Sequence, residues 1–165
     1  INPPIRSQEH QIALFNALKE GVIQCMGSDH APHLEQEKNQ PFGQAPSGMP
    51  GVETSLPLLL NLVAQGHFSL VECCLKMATI PAQIFKIKNK GQLAVGYDAD
   101  FVLIDRKGQY QITKKSLQTK AQWSIFEGKN ITGKPIATYV NGQCVYREGS
   151  FFTDIKGQEV QFLHS

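Results

Sequence analysis

The hydrophobic pattern of this chain changes period near Asn89, and this change constrains the fold more than any other feature. Before it, apolar residues recur at helical spacing, as in segment 8–20, which follows a good N-cap serine and precedes a helix-stopping glycine. After it, short apolar runs are separated by glycine turns, which indicates β-strands. The sequence therefore predicts an α/β unit over residues 1–88 and a smaller β-rich unit with a C-terminal tail over residues 89–165.

The order of elements predicted from these patterns is helix, strand, long loop, three helices and then strands. The first strand is expected at 22–26, the loop at 30–51, and the three helices at 53–66, 70–75 and 78–85. Strands are expected at 91–97 and 99–105, and a hairpin follows them. In that hairpin Asn141-Gly142 supplies the two positive-φ residues that a type I′ turn requires.

Length and composition exclude several classes of function. A chain of 165 residues is long enough for one sizeable core, and its net charge of +2 is too small to indicate a nucleic acid or a membrane surface as partner. No apolar run approaches the length of a membrane span. The four cysteines stand in apolar contexts without a CxxC spacing, so we expect buried thiols, no disulfide and a cytoplasmic protein.

An aspartate and two histidines directly follow the first predicted strand, as Asp29-His30-Ala31-Pro32-His33. In a barrel of alternating strands and helices, the carboxyl ends of the strands face the active site. A carboxylate at that place, with imidazoles on a proline-stiffened turn, is suited to a metal ion. Asn2 lies on another proline-fixed turn one α/β unit earlier, so Asn2 and Asp29 could share a pocket. An aspartate at a strand end is also a common helix cap.

Four motifs follow one another in order: Asn-Pro-Pro-Ile-Arg at 2–6, Ser-Asp-His-Ala-Pro-His at 28–33, Glu-Lys at 37–38, and Pro-Ser-Gly-Met-Pro-Gly-Val-Glu-Thr at 46–54. With the stretches 96–105 and 124–128, they resemble the C-terminal part of a class I dihydroorotase of the amidohydrolase superfamily. The resemblance implies an α/β fold, the C-terminal part of a (β/α)8 TIM-like barrel plus the C-terminal half of a small β-sandwich domain. It places the barrel strands, active-site loop and helices in residues 1–88.

The resemblance also implies a role for each matched residue. Asp29 corresponds to the last metal-ligand aspartate of the family, which also serves as general base and general acid. His33 corresponds to the histidine that binds the substrate carboxylate, and Asn2 to a substrate-contacting asparagine. Ser47 and Gly48 fall where the family's loop meets the substrate ring, largely through backbone groups.

The implied reaction is the reversible cyclisation of N-carbamoyl-L-aspartate to L-dihydroorotate in de novo pyrimidine (UMP) biosynthesis. A binuclear Zn²⁺ site would activate water and polarise the amide, while Asp29 would carry a proton to the ring nitrogen. The family's other metal ligands belong to earlier strands that this sequence does not contain, and the chain opens without methionine. We therefore expect a piece of a longer polypeptide that is inactive by itself. His30 is not a ligand in the family, so we expect it either to have a structural role or to support the residues that contact the metal.

Two other interpretations stay open. Allantoinases and dihydropyrimidinases share the barrel and hydrolyse related cyclic amides, although the motifs around Asn2 and His33 favour an acidic substrate. Some dihydroorotase relatives have lost their metal ligands and serve as non-catalytic partners of aspartate carbamoyltransferase. From the resemblance we also expect a small-molecule substrate, a homodimer and an association with aspartate carbamoyltransferase.

Overall fold

The structure is a computed structural model that describes residues 1–163, so positions 164 and 165 of the predicted tail lie outside the described residues. The helices are α1 (Gln8–Glu20), α2 (Glu35–Lys38), α3 (Val52–Ala64), α4 (Leu70–Cys74) and α5 (Ile80–Ile84). The strands are β1 (Phe101–Gln111), β2 (Asn130–Val140), β3 (Gln143–Arg147) and β4 (Ser150–Phe151). A π-helical turn, Leu75–Thr79, joins α4 to α5, and a 3-10 turn, Lys114–Ser116, follows β1. No helix within 1–163 combines the length and the apolar content needed to cross a bilayer.

The ends of the first helix follow from its sequence. Ser7 has the extended backbone of an N-cap, and Gly21 closes α1 in the left-handed region with φ of 84°. Glycine adopts that conformation without steric cost, which is why helices so often end on it. The predicted helix is therefore confirmed at both ends.

A helical core holds α1, α3 and α4 together. Leu18 of α1 is buried against Leu59, Phe68 and Cys73, with half-buried neighbours such as Phe15 around them. The rings of Phe15 and Phe68 meet edge to face, with their centroids 5.2 Å apart. Each fully buried side chain of this size contributes about 1.5–3 kcal/mol through the hydrophobic effect, so this cluster fixes the position of α3.

The opposite side of α3 packs against the sheet. A Cβ placed on Gly133 of β2 would lie 2.6 Å from the Leu60 Cβ, so only glycine permits this close approach. The Asn61 side-chain oxygen accepts a hydrogen bond from the Thr132 backbone N–H at 2.9 Å. Nearby, Ile131 is 1% exposed. Helix α3 is therefore packed between the helical core on one side and the sheet on the other.

The sheet is an antiparallel meander with strand order β1-β2-β3-β4. Asn141 and Gly142 connect β2 to β3 with φ of 49° and 77°. Both values are positive, as the sequence predicted for this turn. The strands extend further than expected, because β1 and β2 pair from Phe101 opposite Tyr139 to Gln111 opposite Asn130, across two irregularities in register.

Two predicted strands are wrong. Segment 22–26 is irregular, and its Met26 N–H donates to the carbonyl of Lys76 at 3.0 Å. A barrel strand needs neighbouring strands for its backbone hydrogen bonds, and none within 1–163 pairs with this segment. Segment 91–97 also forms turns, in which the side chain of Val95 is fully exposed. Alternating apolar residues form a strand only where one face can be buried.

Smaller differences concern the helices and the thiols. Helix α2 forms inside a stretch that was expected to be a loop throughout. Pro57 lies in the second turn of α3 and is buried there, where it leaves one backbone carbonyl without its helical donor. Cys73 is buried as expected, whereas Cys74 is exposed, so burial of all four cysteines is wrong.

Candidate functional site

Asp29 lies in irregular backbone and is exposed. Its φ of 45° falls in the left-handed region, which aspartate tolerates better than most side chains do. Residues 22–26, which precede it, are irregular and do not form a strand. Its carboxylate is accessible to a ligand from outside the segment.

The two longest motifs, segments 28–33 and 46–54, lie directly against each other. The Ala31 N–H donates to the Met49 carbonyl at 3.1 Å, beside a parallel bridge between His30 and Met49. Gly48 has φ of 120°, and a Cβ on it would lie 2.5 Å from the Ala31 carbonyl oxygen. A Cβ on Gly51 would lie 2.7 Å from the Ser28 carbonyl oxygen. The motifs need glycine at both positions because two backbones meet there.

His30 has the structural role that the sequence predicted. Its Nδ1 accepts hydrogen bonds from the backbone N–H groups of Gly51, at 3.0 Å, and Val52, at 3.2 Å. These groups begin α3, where the first N–H groups lack partners within the helix. An accepting Nδ1 carries no proton, so the proton of this imidazole is on Nε2. Nδ1 of His30 is therefore occupied and not available to a metal.

His33 lies half-buried beside a cleft of about 600 Å³. Its Nδ1 is 3.9 Å from the Glu37 carboxylate, and the same carboxylate accepts a hydrogen bond of 2.6 Å from the Leu34 N–H. Further charged residues line the cleft, namely Glu53 and Lys120. The cleft therefore has room for a small molecule next to His33.

Four of the five residues that were predicted to form the site lie on the two segments that contact each other. Asp29, His33, Ser47 and Gly48 belong to the two motifs that contact each other. Asn2 is exposed, and no hydrogen bond within residues 1–163 connects it with either motif. The roles assigned to these residues stay predictions.

Sequence reasoning missed a segment that lines the cleft through residues 118–121. It runs over residues 114–123, and we call it the strap. The Lys114 ammonium contacts both carboxylate oxygens of Glu35, at 2.8 and 2.9 Å. This hydrogen bond raises the pKa of Lys114 above its usual value. Glu53 accepts hydrogen bonds from two consecutive backbone N–H groups of the strap, at 2.8 and 3.0 Å. The position of Glu53 inside the motif at 46–54 was the only sequence signal for these contacts.

The metal-binding capacity of the described residues is small. Within 1–163, no three His, Cys, Asp or Glu side chains lie close enough together to hold a metal ion. A catalytic zinc ion takes three protein ligands, and the predicted site offers the carboxylate of Asp29 alone. The described residues therefore do not form a zinc site by themselves.

Comparison with curated proteins gives dihydroorotases as relatives. The dihydroorotase of Endomicrobium trichonymphae is 41% identical over 148 residues, which are 89% of this chain and 35% of that protein. The dihydroorotase of Halobacterium salinarum is 38% identical over 161 residues, which are 98% of this chain and 38% of that protein. The chain thus spans about a third of the length of these relatives.

Comparison with solved structures gives hydantoinases. An L-hydantoinase (dihydropyrimidinase) from Arthrobacter aurescens superposes with a TM-score of 0.88 at 34% identity, over 97% of this chain and 37% of that chain. A D-hydantoinase (dihydropyrimidinase) from a Thermus species superposes with a TM-score of 0.87 at 31% identity, over 92% of this chain and 34% of that chain. These likenesses confirm the predicted fold class.

The sequence pattern of the amidohydrolase family matches residues 5–145. This range includes Asp29, both contacting motifs, the strap and most of the sheet. The resemblance inferred from the motifs is therefore confirmed, and the chain belongs to the amidohydrolase family.

Proposed function

We propose that this chain forms the C-terminal part of a metal-dependent dihydroorotase. The observation that carries the proposal is the contact between segments 28–33 and 46–54, which holds Gly48 against Ala31, next to Asp29 in the chain and near His33. The dihydroorotases among the relatives match about nine-tenths of the chain or more, which supports this substrate class. In this proposal residues 1–88 belong to the barrel and residues 89–165 to the small β-rich domain.

Asp29 is proposed to move the proton. Opening of dihydroorotate breaks the bond between the ring carbonyl carbon and the ring nitrogen, while a water oxygen adds to that carbon. A proton leaves the water, and the departing nitrogen gains one. The accessible carboxylate of Asp29 can accept the first proton and deliver it to the nitrogen, so a single group acts as base and then as acid.

The neighbours of Asp29 are proposed to bind the substrate. With a proton on Nε2, His33 can donate a hydrogen bond to the substrate carboxylate, while its Nδ1 lies 3.9 Å from the Glu37 carboxylate. The backbone at Ser47 and Gly48 can contact the ring, since the absence of a Cβ at Gly48 permits a close approach. Asn2 is included in this proposal on the strength of the family motif alone.

A zinc centre in the complete enzyme needs ligands beyond the described residues, with Asp29 as the ligand from this chain. When bound, zinc would supply Lewis-acid polarisation of the amide and an activated water. We expect residues 1–165 to be inactive alone and the complete protein to lose activity when it is dialysed against a chelator. Restored activity on addition of Zn²⁺ to the dialysed protein would support the assignment.

The test of the proposal is Asp29→Asn in the complete gene product that carries this chain, with dihydroorotate consumption as the assay. Loss of a general base or acid lowers rates by about 10²- to 10⁴-fold, and we expect at least this loss. Asp154→Asn is the matched control, because Asp154 is exposed in the tail. Wild-type turnover by the Asp29 variant would contradict the proposed mechanism.

A hydantoinase or dihydropyrimidinase activity is the second candidate, favoured by the structural likeness at TM-scores up to 0.88. Turnover of dihydroorotate, allantoin and hydantoin by one preparation separates the candidates. A preference for hydantoin or allantoin would replace the first proposal.

The proposed partners rest on the resemblance alone. A homodimer is tested by light scattering on the complete protein, and the association with aspartate carbamoyltransferase by co-elution of the two proteins. Co-elution in a complete protein that turns over no cyclic amide would instead favour the non-catalytic partner.

A further inference from the structure

Trp123, the single tryptophan of the chain, ends the strap and reaches the predicted substrate site. Its indole N–H donates a hydrogen bond to the backbone carbonyl of His33, with 2.7 Å between Nε1 and the oxygen. This distance lies at the short end of the range for N–H···O hydrogen bonds. The bond joins residues that are 90 positions apart in the chain, so it is a purely tertiary contact.

The same indole ring is also linked, through Lys38, to segment 46–54. The Lys38 ammonium lies 5.9 Å from the centroid of the ring, which is within the range of cation–π attraction. Lys38 also donates a hydrogen bond of 2.7 Å to the carbonyl of Pro46, the residue before Ser47 and Gly48. Trp123 therefore holds the backbone at His33 directly and contacts the lysine that holds the start of segment 46–54.

The strap is itself fixed in place on both sides of Trp123. Ala121 and Ser124 flank Trp123 closely in sequence and are only 6% and 7% exposed. Upstream, Glu53 binds two consecutive N–H groups of the strap and Lys114 pairs with a carboxylate of α2. Because the backbone is fixed on both sides of Trp123, its side chain can constrain the position of the neighbouring segment 28–33.

We propose that Trp123 is a positioning residue that fixes His33 relative to a bound substrate. Together with Lys38, it also fixes the position of Ser47 and Gly48. The proposal rests on the proposed function, since it assigns substrate binding to His33. Trp123 acts through the His33 backbone and not by touching the substrate. A small displacement of a binding group such as His33 moves the bound molecule out of its productive geometry. Removal of the Trp123 hydrogen bond is therefore expected to affect substrate binding first.

The test uses Trp123→Phe in the complete gene product, because phenylalanine keeps an aromatic ring and removes the N–H donor. Lys38→Met is the second variant, since it keeps an aliphatic stem and removes the ammonium. Gln111→Leu is the matched control. It removes a side-chain donor to the backbone carbonyl of Gly128 at 3.0 Å, in the β-rich part and away from both motifs.

Two measurements are made on each variant. The first is amide hydrogen exchange of segment 28–50, which does not depend on activity. We expect it to quicken several-fold in the Trp123 and Lys38 variants and to stay unchanged in the Gln111 control. The second is the kinetics with dihydroorotate, where we expect KM to rise by roughly threefold to tenfold in the Trp123 variant while kcat stays near wild type, as loss of one hydrogen bond predicts.

The outcomes separate this proposal from the proposed function. Unchanged exchange in the Trp123 variant would overturn the positioning role, whatever the activity. Unchanged KM in an active enzyme would overturn it as well, as would an equal effect in the Gln111 control. If the wild-type protein does not turn over dihydroorotate, the proposed function fails, and the exchange measurement alone decides whether Trp123 holds the loop.

Discussion

Replacement of Gly48 by alanine tests the contact on which the candidate site depends. The added Cβ would lie 2.5 Å from the carbonyl oxygen of Ala31 and 2.6 Å from its Cβ. Neither atom belongs to a long flexible side chain, and the Ala31 N–H is bound to Met49. The two backbones must therefore separate or shift.

The expected destabilisation has two parts. A φ of +120° is essentially restricted to glycine, and forcing another residue into such a region costs about 1–3 kcal/mol. Overlap with the neighbouring backbone adds about 1–3 kcal/mol, as in overpacked cores. We expect the variant to lose at least about 2 kcal/mol of the free energy of local opening of this loop.

Gly43→Ala is the matched control. Gly43 also has a positive φ, of 90°, but nothing lies within 4 Å of a Cβ placed on it. The control therefore carries the conformational cost without the overlap, and the difference between the variants isolates the contact with Ala31.

The assay is amide hydrogen exchange across segments 28–33 and 46–54, together with urea unfolding of each variant. We expect faster exchange in both segments for the Gly48 variant and a smaller change, confined to the neighbourhood of residue 43, for the control. Equal effects of the two substitutions would refute the reasoning, because the overlap with Ala31 would then have no energetic weight.

Two further predictions concern stability. His30→Ala removes the acceptor of two N–H groups at the start of α3, so it should lower the free energy of unfolding by about 0.5–2 kcal/mol, measured by thermal unfolding. The control, His10→Ala on the exposed face of α1, should change it little. Equal losses in the two variants would contradict the capping role of His30. Burial raises the pKa of Asp100, but hydrogen bonds from the Asn141 N–H and Lys90 outweigh it and leave that pKa below its usual value. Its contribution to stability is then present above the unfolded-state pKa of about 3.9 and is lost as the pH falls through the folded-state value. Asp100→Asn should therefore weaken the dependence of Tm on pH at the acid end. An unchanged dependence of Tm on pH would argue against a stabilising interaction of Asp100 with Lys90 and the Asn141 N–H.

Features that depend on neighbours in the chain could be predicted from the sequence. The ends of α1 follow from Ser7 and Gly21, and the hairpin turn follows from Asn141 and Gly142, because each depends on the conformational preferences of one or two residues. The capping of α4 belongs here too, since Ser69 accepts a hydrogen bond from the N–H of a residue three positions on. The motifs likewise indicated the family, and two of them form segments that contact each other in the fold.

Tertiary structure decided the features that depend on distant partners. Segments 22–26 and 91–97 have strand-like sequences, yet they are irregular because no strand within 1–163 pairs with them. Trp123 carried no sequence signal for its bond to His33, because a contact across 90 positions depends on how α3, the strap and the sheet pack. Local conformational preferences thus determined the helix ends and the hairpin turn at Asn141 and Gly142. The motifs indicated that a carboxylate, that of Asp29, is available at the candidate site. Long-range packing determined which backbones meet around it, since only the folded chain brings their donors and acceptors within hydrogen-bonding distance.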